Sequence, residues 1–374
     1  MIYADYSATS IGKPECMAKA MCEVLDGEYG NASRGAHRLA LRSLRAIDGA
    51  RQAVANYFGL SAYWQLGFTP SATYALNLAI KSNLHAEDHV ITTLWEHNAV
   101  LRPLYQTGAS ISFLPMQADQ TPDAGALESL LQRNTKAIVC NLMSNVTGNM
   151  LHLEPFKTFA KAHNLLLILD ASQYAGQFPL QFNESFPKTL LAITGHKSLY
   201  GPMGSGALLA YGISELQPVN TGGSGIHSFD KEFPHCFPDV CEPGTVSLPA
   251  IVGLASAVQW LKEQDTTTHT QQLRKAFIEG LEQIPHVRYY GTKENGGACV
   301  SINIGTLPSD VVAARLDQEF EICVRAGAHC APLVHKHYGT EKQGMLRFSF
   351  GFKSTLQDVE HCLQAIAKIA GEIK

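Results

Sequence analysis

Two apolar runs in this 374-residue chain end in residues that can do chemistry. Ala192-Ile193-Thr194-Gly195-His196-Lys197 finishes in a lysine, and upstream Leu165-Leu166-Leu167-Ile168-Leu169 is followed by Asp170. Both runs read as buried parallel strands, and open α/β sheets place ligands beyond the carboxyl ends of such strands. A lysine and an aspartate brought together there suit pyridoxal phosphate. The amine can hold the aldehyde as a Schiff base, and the carboxylate keeps the pyridine nitrogen protonated so that the ring accepts electrons. Taken singly, each has a plainer explanation, a solvated loop lysine or a helix-capping aspartate.

Further polar residues fall at comparable places. A mainly apolar helix is predicted from Ala72 to Ser82, and its first N–H groups make a phosphate site to which Ser71 and Thr73 add hydroxyls. A simple capping role for Ser71 stays open. Thr194 and His196 can donate to the same phosphate, and Gly195 lets the backbone approach it. His97, in Glu96-His97-Asn98 after an apolar run, can stack on a flat cofactor and move protons. Asn145 and Gln173 sit just past strand ends, within reach of the cofactor's phenolic oxygen or of substrate, with a turn role open for Asn145.

The segment from Arg325 to Pro332 surrounds Cys330 with small residues, one arginine and one histidine. A thiol in such a loop, expected to be mobile, is placed to be a thiolate nucleophile. Arg325 is a candidate for substrate binding. Arg347, on a predicted strand, can grip a carboxylate through two parallel hydrogen bonds, a surface salt bridge being the alternative. His335-Lys336-His337 lacks partners at ligand spacing, so no metal is expected.

The elements that must position these groups alternate along the chain. Strands are expected at 89–93, 110–114, 137–142, 165–169, 190–194 and 206–210, with helices between them, which implies βαβ units and a mainly parallel sheet. Helical spacing also runs from Pro14 to Leu60, broken by a loop at 30–35, and recurs at 248–263 and 268–283. Beyond lie strands at 298–304 and 345–350 and a helix near 309–320, the texture of a smaller α+β domain. A net charge of -4 without charge blocks argues against nucleic-acid or membrane-surface partners. No signal-peptide pattern and no run of bilayer-spanning length is visible, so a cytoplasmic location is expected. Nine cysteines without a CxxC pair fit neither a disulfide framework nor a zinc site, and all but Cys330 are expected to be mostly buried.

Six segments together resemble the class V aminotransferase-fold family, in its cysteine desulfurase and selenocysteine lyase branch, over nearly the whole chain. They are Gly30-Asn31-Ala32-Ser33-Arg34-Gly35-Ala36-His37, Glu96 to Ala99, Ser144 to Gly148, Asp170 to Gln173, Thr194 to Lys197, and Arg325 to Pro332. The resemblance implies an α/β fold of the pyridoxal-phosphate-dependent transferase type I. A large domain at 12–261 would carry a mainly parallel seven-stranded sheet, and 1–11 with 262–374 would form the small α+β domain.

It implies Lys197 as Schiff-base lysine, Asp170 on the pyridine nitrogen, Gln173 on the phenolic oxygen and His97 on the ring. Ala72, Thr73, Thr194 and His196 would hold the phosphate, while Asn145 and Arg347 orient the amino acid. Glu242-Pro243-Gly244-Thr245 is similar to a family stretch whose threonine reaches the phosphate of a neighbouring subunit, which implies a homodimer with shared sites. Cys330 would accept sulfur from L-cysteine and pass it to an acceptor protein. Selenocysteine or cysteine-sulfinate lysis, another class V reaction, and a non-catalytic sulfur carrier are the competing expectations. The chain departs from the family at Asp5-Tyr6-Ser7-Ala8-Thr9 and at Val246, both near substrate entry.

Overall fold

In the computed structural model, residues 1–32, 35–226, 228–294 and 296–373 are described. Ser33 and Arg34 of the first family-like segment therefore lie outside the described residues. The strands, in chain order, are β1 (Ile2–Tyr3), β2 (Leu66–Thr69), β3 (His89–Thr92), β4 (Ser110–Phe113), β5 (Thr135–Asn141), β6 (Leu166–Asp170) and β7 (Thr189–Thr194). They continue with β8 (Gly206–Tyr211), β9 (Val287–Tyr290), β10 (Cys299–Ile304), β11 (Ile322–Cys323), β12 (Arg325–Gly327) and β13 (Met345–Ser349).

Seven of them form one sheet in the order β2-β8-β7-β6-β5-β3-β4. The run from β7 to β4 is parallel throughout, and β8 is antiparallel to both of its neighbours. Two reversals restore the direction, so β2 runs the same way as β7. Thr69 and Thr194 both face Gly206, and the ends of β2, β3, β5, β6 and β7 share one edge. That edge is where the chemistry-bearing residues gather.

The apolar runs are continuous because both faces of the sheet are covered. Ile168, Leu190 and Ala192 pack into a cluster with residues of the helices Ala72–Lys81 and Asn98–Thr107. Their neighbours Leu167, Leu169, Leu191 and Ile193 face the opposite cluster, which takes in Phe156, Val54 and Leu254 from the helices Leu153–Ala162, Arg38–Tyr57 and Leu248–Leu261. Each fully buried leucine or isoleucine among them contributes about 1.5–3 kcal/mol.

A second sheet, β12-β13-β10-β9, is antiparallel and packs with the helices Thr266–Leu281, Ser309–Phe320 and Leu356–Gly371 around its own core. The N-terminal β1 pairs in parallel with β11, so the first residues of the chain belong with this later half. The expectation of mostly buried cysteines is corrected: Cys16, Cys22 and Cys236 are exposed and Cys323 is half-buried. The helix Glu15–Asp26 buries the side carrying Met17 and Val24, and Cys16 and Cys22 fall off that side. No helix of the described residues is long and apolar enough to cross a membrane.

Candidate active site

Asp170 is the last residue of β6, in register with Asn141 of β5 and Ala192 of β7. It is 3% exposed, and its Oδ1 accepts the N–H of Ser172 at 2.8 Å. Lys197 follows β7 in a turn held by Gly195 N–H to Ser205 O (2.8 Å) and by Ser10 Oγ to Lys197 O (2.8 Å). A Cβ on Gly195 would collide with Ser205 Oγ, which is why the turn needs glycine there.

A cavity of about 230 Å³ opens between these two residues. Ala72, Thr73, Thr194, His196, Lys197 and Asp170 line it. So do His97, Asn145, Gln173 and Arg325. Ala72 and Thr73 open the helix Ala72–Lys81, whose N-cap Ser71 accepts the N–H of Tyr74 at 3.3 Å. Burial pushes the Lys197 amine from 10.5 down to about 8; Arg347 and Arg325 push the same way, and Asp170 opposes them. It is therefore far closer to its neutral form at neutral pH than an ordinary lysine.

His97 caps the helix Asn98–Thr107, its Nδ1 accepting the N–H of Ala99 at 3.0 Å. That bond fixes Nδ1 as the unprotonated nitrogen. Burial pushes its pKa down to about 4, against the pull of Asp170 and with the help of Lys197, Arg325 and Arg347. Burial also lowers His196 to about 4. Both imidazoles are neutral at pH 7.

Three expected residues lie outside this cavity. Cys330 is exposed, and Arg325 Nη2 lies 3.9 Å from its Sγ. Its turn is a tied one: Asn98 N–H donates to Cys330 O at 2.7 Å, and Asn145 Nδ2 donates to His329 O at 2.8 Å. His329 and Cys330 are both left-handed, with φ of 52° and 56°. Arg347 on β13 stands opposite Arg325 on β12 and is 1% exposed, so the surface salt bridge expected as its alternative is ruled out. Its Nη1 donates to Asn145 O (3.0 Å), its Nη2 to Asp5 Oδ1 (2.8 Å), and its Nε has no partner among the described residues.

Thr245 is exposed and accepts from Asn31 Nδ2 at 3.1 Å. It lines two larger clefts, anchored beneath by the buried Arg51–Glu242 ion pair at 2.6 Å. His335 and His337 are engaged by Thr340 and Gln120.

The sequence reading missed Asn141, which lines the cavity, and Glu96, which is fully buried behind it. Glu96 Oε1 accepts from Thr93 Oγ1 (2.7 Å) and Asn141 N–H (2.9 Å). Asn141 ends an apolar run just as Asp170 does, so the strand-end rule contained the signal for it.

The aminotransferase class-V family description matches residues 2–362. The chain belongs to the class V aminotransferase family. It is 30% identical over 382 residues to the cysteine desulfurase CsdA of Escherichia coli K12, covering 98% of this chain and 93% of that protein. A probable cysteine desulfurase of Synechocystis sp. is 29% identical over 390 residues, covering 98% and 90%. Among solved structures, the apo cysteine desulfurase of Thermococcus onnurineus NA1 superposes with a TM-score of 0.92 at 27% identity, covering 100% of this chain and 95% of that one. The architecture is accordingly the type I fold of pyridoxal-phosphate-dependent transferases.

Proposed function

We propose that this class V family member is a pyridoxal-phosphate-dependent cysteine desulfurase, which converts L-cysteine to L-alanine and takes the sulfur on Cys330 as a persulfide. The observation that carries this is the meeting of the Lys197 amine and the Asp170 carboxylate in one cavity, with the Cys330 turn tied to the helix that His97 caps. The residues present fit the cofactor. The start of the helix Ala72–Lys81 with Thr194 and His196 suits its phosphate, Asp170 its ring nitrogen, and Gln173 Oε1 and Asn145 Oδ1 are buried acceptors without partners among the described residues. When bound, the cofactor supplies an electron sink for a substrate carbanion.

The side chains then have separable tasks. Lys197, with its lowered pKa, takes the Cα proton and returns a proton to the product. His97, neutral at pH 7, would help to hold the cofactor's ring. Arg347 and Asn145 orient the amino acid by its carboxylate. The Cys330 thiolate attacks the substrate sulfur: its S–S bond forms as the substrate C–S bond breaks, the bond electrons stay on carbon, and a proton replaces the sulfur there. Arg325, between cavity and thiol, faces that exchange.

The same reading extends to a homodimer in which Thr245 serves the second copy's site, since Thr245 does not line the cavity of its own chain. It includes a division into 12–261 and 1–11 with 262–374, a protein acceptor that collects sulfur from the exposed Cys330, and a reducing, cytoplasmic setting suited to surface thiols. Supplying L-cysteine and measuring alanine together with a persulfide on the Cys330 peptide tests it. Alanine without a Cys330 persulfide at any time after mixing would refute it.

A further inference from the structure

The N-terminal opening, which departs from the family pattern near substrate entry, is hydrogen-bonded to residues of the site. Ser7 O accepts from Gln173 Nε2 at 3.0 Å, and Ser10 N–H donates to His196 O at 3.0 Å. Asp5 bridges its backbone to Ser349, two residues beyond Arg347, and its carboxylate takes Arg347 Nη2 at 2.8 Å. Arg347 is thereby fixed at two of its three nitrogens while the third, Nε, is buried with no acceptor among the described residues. A buried N–H without a partner is costly and calls for an acceptor that arrives later.

We propose that Asp5 is a positioning residue, holding Arg347 by Nη2 so that its Nε–H is kept for the carboxylate of the incoming amino acid. This rests on the reading of Arg347 as the carboxylate-binding residue. With Nη1 on Asn145 O and Nη2 on Asp5 Oδ1, Nε is the guanidinium nitrogen left for an oxygen acceptor on the substrate. Asp5 acts through Arg347 and does not itself touch substrate.

The test uses the holoenzyme and two probes of one shape, L-alanine with a carboxylate and L-alaninamide without one. Dissociation constants are read from the cofactor's absorbance. The wild-type preference for L-alanine is expected to shrink about tenfold in Asp5→Ala, which frees the guanidinium, and about threefold in Asp5→Asn, which keeps a neutral acceptor. Cofactor content is expected to stay at the wild-type level in both, since Ser10 still holds the Lys197 turn.

A preference that is unchanged or larger in the variants overturns the proposal, as does an equal loss of affinity for both probes. If Asp5→Ala does not fold, the graded effect in Asp5→Asn decides. A wild-type enzyme without preference between the probes refutes the role of Arg347 as well.

Discussion

The backbone N–H of Asn98 donates to the carbonyl of Cys330 at 2.7 Å, although the two lie in different halves of the chain. Asn98 opens the helix capped by His97, so one helix start carries the imidazole of the cavity and fastens the thiol turn. The thiol is thus placed by the same element that shapes the cavity, and its side chain remains exposed.

Replacing Cys330 by alanine is expected to reduce sulfide release from L-cysteine, in the presence of a reductant, on the order of a thousandfold. Melting temperature and cofactor content are expected to stay as in the wild type, because the side chain packs against little. An undiminished rate would remove Cys330 from the mechanism.

Lys197 is expected to react as an amine with a midpoint near its lowered pKa of about 8. The neutral form is the nucleophile and lies above the pKa. When pyridoxal phosphate is added to cofactor-free protein, its borohydride trapping on residue 197 is therefore expected to rise through pH 8 and level off. Surface lysines go on rising toward 10.5. Trapping at 197 that follows the surface lysines would show that burial leaves the amine ordinary.

Burial raises Glu96 from 4.5 to about 8, and its Oε2 has no partner among the described residues. A carboxyl with a raised folded pKa contributes stability that is full below 4.5 and is lost as pH rises through about 8. Glu96→Gln keeps an acceptor for Thr93 and Asn141 and cannot ionise, so the wild-type melting temperature is expected to fall relative to this variant across that window. Glu96→Ala leaves both donors unsatisfied and is expected to cost about 2 kcal/mol. Parallel melting curves of wild type and Glu96→Gln across the window would contradict this.

Gly195→Ala places a methyl against Ser205 Oγ, which is held by Pro202 O at 2.6 Å. A loss of about 2 kcal/mol in denaturant unfolding is expected, with lowered cofactor content as the Lys197 turn shifts. Unchanged content and stability would mean that the turn relaxes freely.

Much of the site was legible because its strands are short apolar runs that stop at polar residues. The register of β6 on β7 then does the rest, setting Asp170 beside Ala192. What escaped was non-local or brief. Leu66–Thr69 is a four-residue strand ahead of Pro70 and gave no strand signal of its own, and β9 was likewise hidden. The antiparallel direction of β8 is a pairing choice that no local pattern encodes. Glu96, whose charge suggests a surface position, is buried with donors from Thr93, just past β3, and from Asn141 at the end of β5. The hold of Asp5 on Arg347 spans 342 positions and is invisible to any window of sequence.

That span bears on how the molecule is made. Domains fold as they emerge during synthesis, beginning with the N-terminal part. Residues 2–5 leave the ribosome long before their partners at 322, 323 and 347. A nascent chain halted before position 347 would already hold the lysine, aspartate and imidazole of the cavity while the Asp5 carboxylate still waited for its guanidinium.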